Sequence, residues 1–443
     1  MKSKILEIKI NLRQPWLVCI LLITSIPIFP EYISPILAGL ALWAAYKDIK
    51  NRGKTFVLGT GGKLMLVYTA FMAVGVLYSA HPFNTFSTFL MWFVMLLAYL
   101  ALTTVLTNKH RFDTALFSIS LIAGIVGLIA TFQYIANAVF GLDVSLYFWG
   151  WIDNVVYEFF PMDMLTRVDG IRTSSTFTNP NVLAEYLVMV SPFVAYYGFS
   201  GKRTNVRLLC RFCLFFAMLG IAFSFSRGAY LALATLLVVI CFSNMRKICM
   251  YIMAFISALA LVPNAVVSRL FSIVQGDSSI SARFQIWSVS LQNIAENPIL
   301  GLGAGVSNSW DIMLMGGVNA PHAHNLALQL LIEGGFISFG IMGMLGWKML
   351  RRSMDMAVRR DTGTKQMGVL LMSFVAGFVV CSMFDFPFMT PKLVGSFLTV
   401  IALFDAATRL YLGQKATSIF ELVSPLQQRR RVSATGAAAY RIK

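Results

Sequence analysis

Long apolar segments dominate this sequence and set the class of fold that it can adopt. Only 12% of the 443 residues are charged, whereas soluble domains carry about 25%. A bilayer core of ~30 Å requires about twenty apolar residues per helix, and most of the segments approach or exceed that length. The sequence therefore predicts an all-α polytopic membrane protein with about twelve transmembrane helices. The predicted spans are 15–29, 32–47, 63–80, 84–107, 113–140, 181–199, 208–225, 228–243, 247–264, 325–348, 366–385 and 392–412.

Basic residues give the predicted orientation of these spans. The formal net charge is +17, and Lys and Arg concentrate in the short loops. With about twelve spans, these basic groups all fall on one side, which the positive-inside rule assigns to the cytoplasm. Both termini are then cytoplasmic, and two long loops at about 141–180 and 265–324 are extracytoplasmic. We expect one transmembrane domain over 1–414 and a basic cytoplasmic tail over 415–443. Because topology accounts for the charge, nucleic acid is not an expected partner.

Several charged side chains are predicted to meet at the extracytoplasmic surface. Imidazole exchanges protons near pH 7, so His322 and His324 at the end of the second loop are candidate catalytic residues. The alternative is that they are loop histidines in the headgroup region. Arg227 is predicted on the extracytoplasmic side, where the positive-inside rule leaves few basic residues. It is either a snorkelling anchor or a functional cation. Arg283 lies in the second loop and Asp385 ends a later span on the same side.

The second long loop is predicted to contain an amphipathic helix from Ser281 to about Asn297. Its apolar residues recur at helical spacing, which is typical of a helix on the membrane surface. They are Phe284, Trp287, Leu291 and Ile294. Residues 301–305 then form a flexible glycine turn, and we do not interpret them as a phosphate loop because no strand precedes them.

Two arginines near the headgroup plane suit the diphosphate of a lipid carrier, because guanidinium groups bind phosphate bidentately. A histidine beside that diphosphate is able to deprotonate an incoming sugar hydroxyl. Attack at the anomeric carbon then expels the lipid diphosphate, and the arginines stabilise its charge. A single displacement inverts the anomeric centre. No acidic cluster accompanies these residues in the sequence, so neither a metal nor another cofactor is expected.

The order of several motifs resembles the O-antigen ligase/polymerase superfamily. The motifs are Ser226-Arg227-Gly228 and the segments 282–287, 297–303 and 322–335, together with the segment 176–181 that leads into a span. The resemblance implies a GT-C type fold and a metal-independent inverting glycosyltransferase. Such an enzyme moves a glycan from undecaprenyl diphosphate to a saccharide acceptor, which is lipid A–core or a growing polysaccharide, on the outer face of the cytoplasmic membrane.

The resemblance also implies roles for individual residues. Arg227 and Arg283 match the arginines that hold the donor diphosphate, and His324 matches the catalytic histidine. Asp385 sits where some members have a functional acid. His322, our own addition, either orients the acceptor or is a second loop residue. Two further arginines, Arg167 and Arg172, contact substrate or form salt bridges with nearby acids.

The motifs leave the acceptor open. Ligases, polymerases and transferases that glycosylate protein share them, and we favour a saccharide acceptor. A transporter or flippase of lipid-linked saccharide is the alternative from another class. Such carriers place functional charges near the bilayer midplane, whereas here they are predicted at one surface.

Overall fold

The structure is a computed structural model that describes residues 14–142, 144, 172–200, 204–242 and 278–418. Helices make up most of this part of the chain. They are α1 (Pro15–Thr24), α2 (Ser34–Arg52), α3 (Thr60–Gly75), α4 (Pro82–Val105), α5 (Lys109–Phe140), α6 (Pro180–Ser200), α7 (Thr204–Phe223), α8 (Arg227–Phe242), α9 (Ser278–Glu296), α10 (Val306–Met315), α11 (Leu326–Ala357), α12 (Thr362–Ser382) and α13 (Pro391–Leu412). Two short strands, β1 (Val57–Leu58) and β2 (Thr417–Ser418), pair antiparallel.

Seven helices in the described ranges are long and apolar enough to cross a membrane, namely α4, α5, α6, α7, α11, α12 and α13. Two shorter apolar helices, α1 and α8, accompany them. The prediction of an all-α membrane protein is therefore confirmed, but the count of about twelve spans is not. Two of the other predicted spans fall on α2, whose last turns carry several charges, and on the short α3. The predicted span 247–264 lies outside the described residues.

Helix α13 forms the centre of the bundle and is buried along most of its length. It packs against α3, α4 and α6, while α6, α7, α8 and α12 form a second contiguous group. The starts of α6 and α8 meet the ends of α7 and α12 at one end of the bundle, where their residues border a common cavity. The start of α11 lies at the same end, because His324 just before it contacts Asp385 just after α12. This end carries the candidate site.

A smaller apolar cluster joins α9 and α10 to the start of α11 at that end. Its buried members are Ile286, Val289, Ile294, Met313, Ala320, Ala323 and Ile332. The prediction of a helix ending near Asn297 is confirmed, although α9 begins at Ser278 rather than Ser281. Of the four apolar residues that we expected to share one face, Ile294 is buried, whereas Phe284 and Leu291 are exposed. The helix buries an adjacent face because it packs on α10 and α11.

The glycine-rich turn after α9 packs against a break in α11. Gly334 and Gly335 have non-helical backbone angles, and Gly335 has φ 57°. The N–H of Leu302 donates to Ile332 O at 2.8 Å and that of Gly303 donates to Glu333 O at 2.9 Å. Neighbouring backbone thus satisfies carbonyl groups that the break exposes, and the turn fixes the first part of α11.

Candidate active site

A cavity of about 140 Å³ opens where the ends of α6, α7, α8 and α12 meet. Its charged and amide side chains are Arg172, Asn181, Glu185, Arg227, Arg283 and Asp385. Three guanidinium groups therefore face two carboxyl groups in one small space. Such a surface suits an anion that carries more than one negative charge.

Arg227 reaches the cavity from a tight turn between α7 and α8. Phe225 has φ 52° in this turn, which is uncommon for a residue with a bulky side chain. The Ser226 N–H donates to Ser224 Oγ at 3.2 Å, and the hydrogen bond closes the turn. A Cβ on Gly228 would lie 2.9 Å from the Phe384 side chain. Glycine at this position therefore lets α8 approach the end of α12 closely.

The first turn of α8 is itself a feature that favours an anion. Ser226, Arg227 and Gly228 all border the cavity. A helix N-terminus presents backbone N–H groups and a partial positive charge, so an anion is stabilised there. An arginine at this end opposes the helix dipole, and an anionic ligand compensates for that cost.

His324 and His322 lie beside the cavity and share one carboxylate. His324 Nδ1 is 3.1 Å from Asp385 Oδ1, and His322 Nε2 is 3.9 Å from the same oxygen. The His324 backbone N–H donates to His322 Nδ1 at 3.2 Å, so the proton of a neutral His322 is on Nε2. His324 itself has φ 46°. This strained backbone brings the second imidazole back over the first, with ring centroids 4.0 Å apart.

Hydrogen bonds hold both backbone polar groups of Ala323, the residue between the two histidines. The Ala323 N–H donates to Gln329 Oε1 at 2.9 Å, and Trp287 Nε1 donates to Ala323 O at 3.1 Å. Gln329 Nε2 in turn donates to Glu333 Oε1 at 2.9 Å. Asn325 follows directly and caps α11, because its side chain accepts from the Leu328 N–H. The motif from His322 to Gly335 therefore folds as one hydrogen-bonded unit.

A chain of hydrogen bonds joins Arg172 to His324. Arg172 donates to Ser224 O at 2.9 Å and to Asn181 Oδ1 at 2.7 Å. Asn181 Nδ2 donates to Asp385 Oδ2 at 2.9 Å. The Phe386 N–H also donates to Asp385 Oδ1, at 2.9 Å. Asp385 thus connects the anion-binding cavity to the imidazole of His324.

Burial and neighbouring charge separate the acid–base properties of this group. Burial lowers the pKa of His322 to about 3; His324 and Arg283 act in the same direction, and the carboxylate of Asp385 opposes them. Burial by itself favours a higher pKa for Asp385, but the hydrogen bond from His324 and the charges of both histidines hold that pKa below its usual range. At neutral pH, His322 is therefore an uncharged acceptor and Asp385 is a carboxylate.

The same three side chains have the chemistry of metal ligands. The ligand atoms of His322, His324 and Asp385 all lie within 4.8 Å of one another. However, Asp385 Oδ1 already accepts hydrogen bonds from His324 and Phe386, and His322 Nδ1 accepts from the backbone. These bonds hold the side chains in an acid–base arrangement. The expected metal independence remains a prediction.

The structure brings together all the predicted site residues that it describes. Arg172, Arg227, Arg283 and Asp385 border the cavity, and both histidines approach Asp385. Arg167 lies outside the described residues. Sequence reasoning missed the roles of Asn181, Glu185 and Gln329. Each is a polar residue inside or at the edge of a predicted span, and such residues are usually functional.

The helices and this site define a polytopic membrane protein in which an anion-binding cavity adjoins a histidine–carboxylate pair. Residues 212–347 match the family model described as O-antigen ligase. This match confirms the resemblance to the O-antigen ligase/polymerase superfamily, and the matched segment includes Arg227, Arg283, His322 and His324. No curated protein matches the chain. The family match and the apolar helices together support a bacterial multi-pass inner-membrane protein.

Proposed function

We propose that the protein is an inverting glycosyltransferase of the O-antigen ligase/polymerase type, with a GT-C type fold. It moves a glycan from undecaprenyl diphosphate to a saccharide acceptor on the outer face of the cytoplasmic membrane. One observation carries the proposal: Asp385 borders the arginine-lined cavity and also binds the His324 imidazole at 3.1 Å. A site for an anionic leaving group and a general base thus share one residue.

In this proposal the arginines bind the donor diphosphate. Arg227 and Arg283 supply permanent positive charge, since guanidinium groups stay protonated in proteins, and the first turn of α8 adds backbone donors. Arg172 borders the same cavity and supports its wall through Ser224 and Asn181. As the bond from the anomeric carbon to the diphosphate breaks, charge develops on the leaving oxygen, and these groups stabilise it.

His324 acts as the general base. Asp385 accepts a hydrogen bond from His324 Nδ1–H, which leaves Nε2 unprotonated and able to take a proton from the acceptor hydroxyl. The acceptor oxygen forms its new bond to the anomeric carbon while the bond to the lipid diphosphate breaks. The hydroxyl proton ends on His324, the electron pair leaves with the diphosphate, and the anomeric configuration inverts. His322 stays neutral and fixes the backbone of His324 through its Nδ1.

Transfer by purified protein tests the proposal. The donor is a lipid-diphosphate-linked repeat unit, supplied alone or with lipid A–core, with chelator present or absent. We expect transfer that survives chelation. His324→Ala should lower it by about 10²–10⁴-fold, which is the usual contribution of a general base, and Arg283→Ala should weaken use of the donor. The matched control is His81→Ala, because His81 also pairs with an aspartate, Asp311, outside the cavity.

The products separate the remaining functions. A ladder from repeat units alone identifies a polymerase, product only with lipid A–core identifies a ligase, and product only on protein identifies a protein glycosyltransferase. Activity that persists in His324→Ala refutes the assignment of the base. Loss of transfer after chelation refutes metal independence. Movement of lipid-linked sugar across vesicles without any transfer supports the transporter instead.

A further inference from the structure

Glu185 is a buried acid in the wall of the cavity that the proposed mechanism does not use. The residue is only 5% exposed and borders the cavity with the three arginines. Neither of its carboxyl oxygens has a hydrogen-bond partner among the residues that the structure describes. A buried polar group without a partner is costly, and such a group in a native structure requires an explanation.

The other buried acids in the described ranges show how this chain normally treats a carboxyl group. Asp48 binds Arg52 and Arg111. Asp405 accepts from Tyr99 and from the backbone N–H groups of Gly61 and Gly62. Glu333 accepts from Gln329. Glu185 alone among these buried acids lacks a partner in the described residues, and it alone borders the cavity. A ligand in the cavity is therefore the partner that its position implies.

The position of Glu185 shows which part of a ligand it meets. Glu185 follows Asn181 by four residues on α6, so both side chains lie on one face of the helix, about 6 Å apart along its axis. Asn181 is occupied by Arg172 and Asp385. Glu185 borders the cavity one turn further along α6, with Cys381 from the last turn of α12.

In a lipid-diphosphate-linked glycan, the hydrogen-bond donors lie on the sugar. A lipid tail has no hydrogen-bond donor, and an ionised diphosphate has acceptors only. Hydroxyl and amide N–H groups of the sugar are the donors, and a carboxyl oxygen accepts from them. An apolar cavity of about 150 Å³ takes up one benzene-sized ring, so a cavity of about 140 Å³ has room for a group of that size, such as the junction between the diphosphate and the first sugar.

We propose that Glu185 accepts hydrogen bonds from the sugar attached directly to the lipid diphosphate, and that it is a specificity-determining residue for this sugar. The inference rests on the proposed function, because it takes the donor to be a lipid-diphosphate-linked glycan. A site built to bond a substrate hydroxyl discriminates strongly against an analogue that lacks it, since the buried acceptor is then left unpaired.

The test is a series of synthetic lipid-diphosphate-linked donors, each of which lacks one hydroxyl or amide N–H of the first sugar. The kcat/KM of each donor is measured with wild type, Glu185→Gln and Glu185→Leu. In the wild type, we expect one donor of the series to lose about 10- to 100-fold, as for a buried acceptor that is left without its donor. With Glu185→Leu the same donor should lose almost nothing relative to the complete sugar. Glu185→Gln keeps an acceptor and should fall between the two.

Glu296→Gln is the matched control, because Glu296 is an exposed acid at the end of α9 and lies outside the cavity. It should leave the donor series unchanged. If every donor shows the same penalty with Glu185→Leu as with wild type, the inference about Glu185 is wrong while the proposed function stands. If wild type transfers none of the donors, complete sugar included, the proposed function fails first. If Glu185→Leu does not fold, the comparison is made with Glu185→Gln, whose shape matches the native side chain.

Discussion

Replacing Asp385 by asparagine removes one charge from the site and preserves the shape of the side chain. Both oxygens of Asp385 face donors: His324 Nδ1 and the Phe386 N–H at Oδ1, and Asn181 Nδ2 at Oδ2. Asparagine has one oxygen, so its amide nitrogen must face a donor in either orientation. Asn181 cannot relieve this by turning over, because its Oδ1 is held by Arg172 at 2.7 Å.

These contacts set the expected magnitude of the Asp385→Asn effect. A hydrogen bond to a charged group contributes about 1.5–3 kcal/mol, and a buried donor left without an acceptor costs about 1–3 kcal/mol. Together they amount to about 3–6 kcal/mol, and each 1.36 kcal/mol changes a rate tenfold. We therefore expect Asp385→Asn to lower the kcat/KM for glycan transfer by about 10²–10⁴-fold.

The assay is glycan transfer from the lipid-linked donor, and the thermal stability of the detergent-solubilised protein is measured in parallel. Asp311→Asn is the control, because Asp311 and His81 form a similar pair that is exposed, with side chains 48% and 39% accessible. It should change transfer little. In the His324→Ala background, Asp385→Asn should add almost no further loss, since both changes act on one unit. A folded Asp385→Asn protein that retains transfer within about threefold of wild type refutes the role of the pair.

Two further predictions concern the histidine loop. Gln329→Leu removes the acceptor of the Ala323 N–H. We expect kcat to fall about tenfold at unchanged donor KM, because a misplaced base slows the chemical step while the arginines still bind the donor. A raised KM at unchanged kcat contradicts this prediction. The second prediction is acid sensitivity, because burial lowers the pKa of His322 to about 3. As pH falls from 6.5 towards 3, the unfolded chain takes up a proton that folded His322 does not, so stability declines in this window. His322→Asn retains an acceptor for the His324 N–H and should lose this component of the acid sensitivity. The measurement is thermal unfolding between pH 7 and pH 4, and a pH profile equal to that of wild type refutes the prediction.

The sequence was sufficient to predict the meeting of distant charges, because alternating spans place alternate helix ends at the same side. Arg227 and Asp385 begin or follow helices that run in opposite directions, and both border the cavity. That inference needs only the order and approximate length of apolar segments. It requires an even number of spans between Arg227 and Asp385, so only an error in the count outside that stretch leaves the predicted site unaffected.

The buried face of α9 and the hydrogen bonds between side chains and backbone could not be predicted in the same way. The exposed Phe284 and the buried Ile286 of α9 are equally apolar, and only the packing of α9 on α10 and α11 decides which is buried. Likewise, the hydrogen bond from the Ala323 N–H to Gln329 Oε1 forms in a turn where His324 has φ 46°. Periodicity along one segment contains no information about such turns. A polar residue inside a predicted span is nevertheless a readable signal, and Glu185 is the clearest example here.

The tautomer of the neutral candidate base follows from Arg172 by elimination. A guanidinium group only donates, so the Asn181 atom 2.7 Å from it is the amide oxygen, and the amide nitrogen faces Asp385. Asp385 must then accept at Oδ2, and it also accepts the Phe386 N–H at Oδ1. A carboxylate that accepts from these neighbours leaves His324 Nδ1 as a donor, because two acceptors would repel at 3.1 Å. In the neutral imidazole the proton is therefore on Nδ1, and Nε2 holds the lone pair that a general base requires.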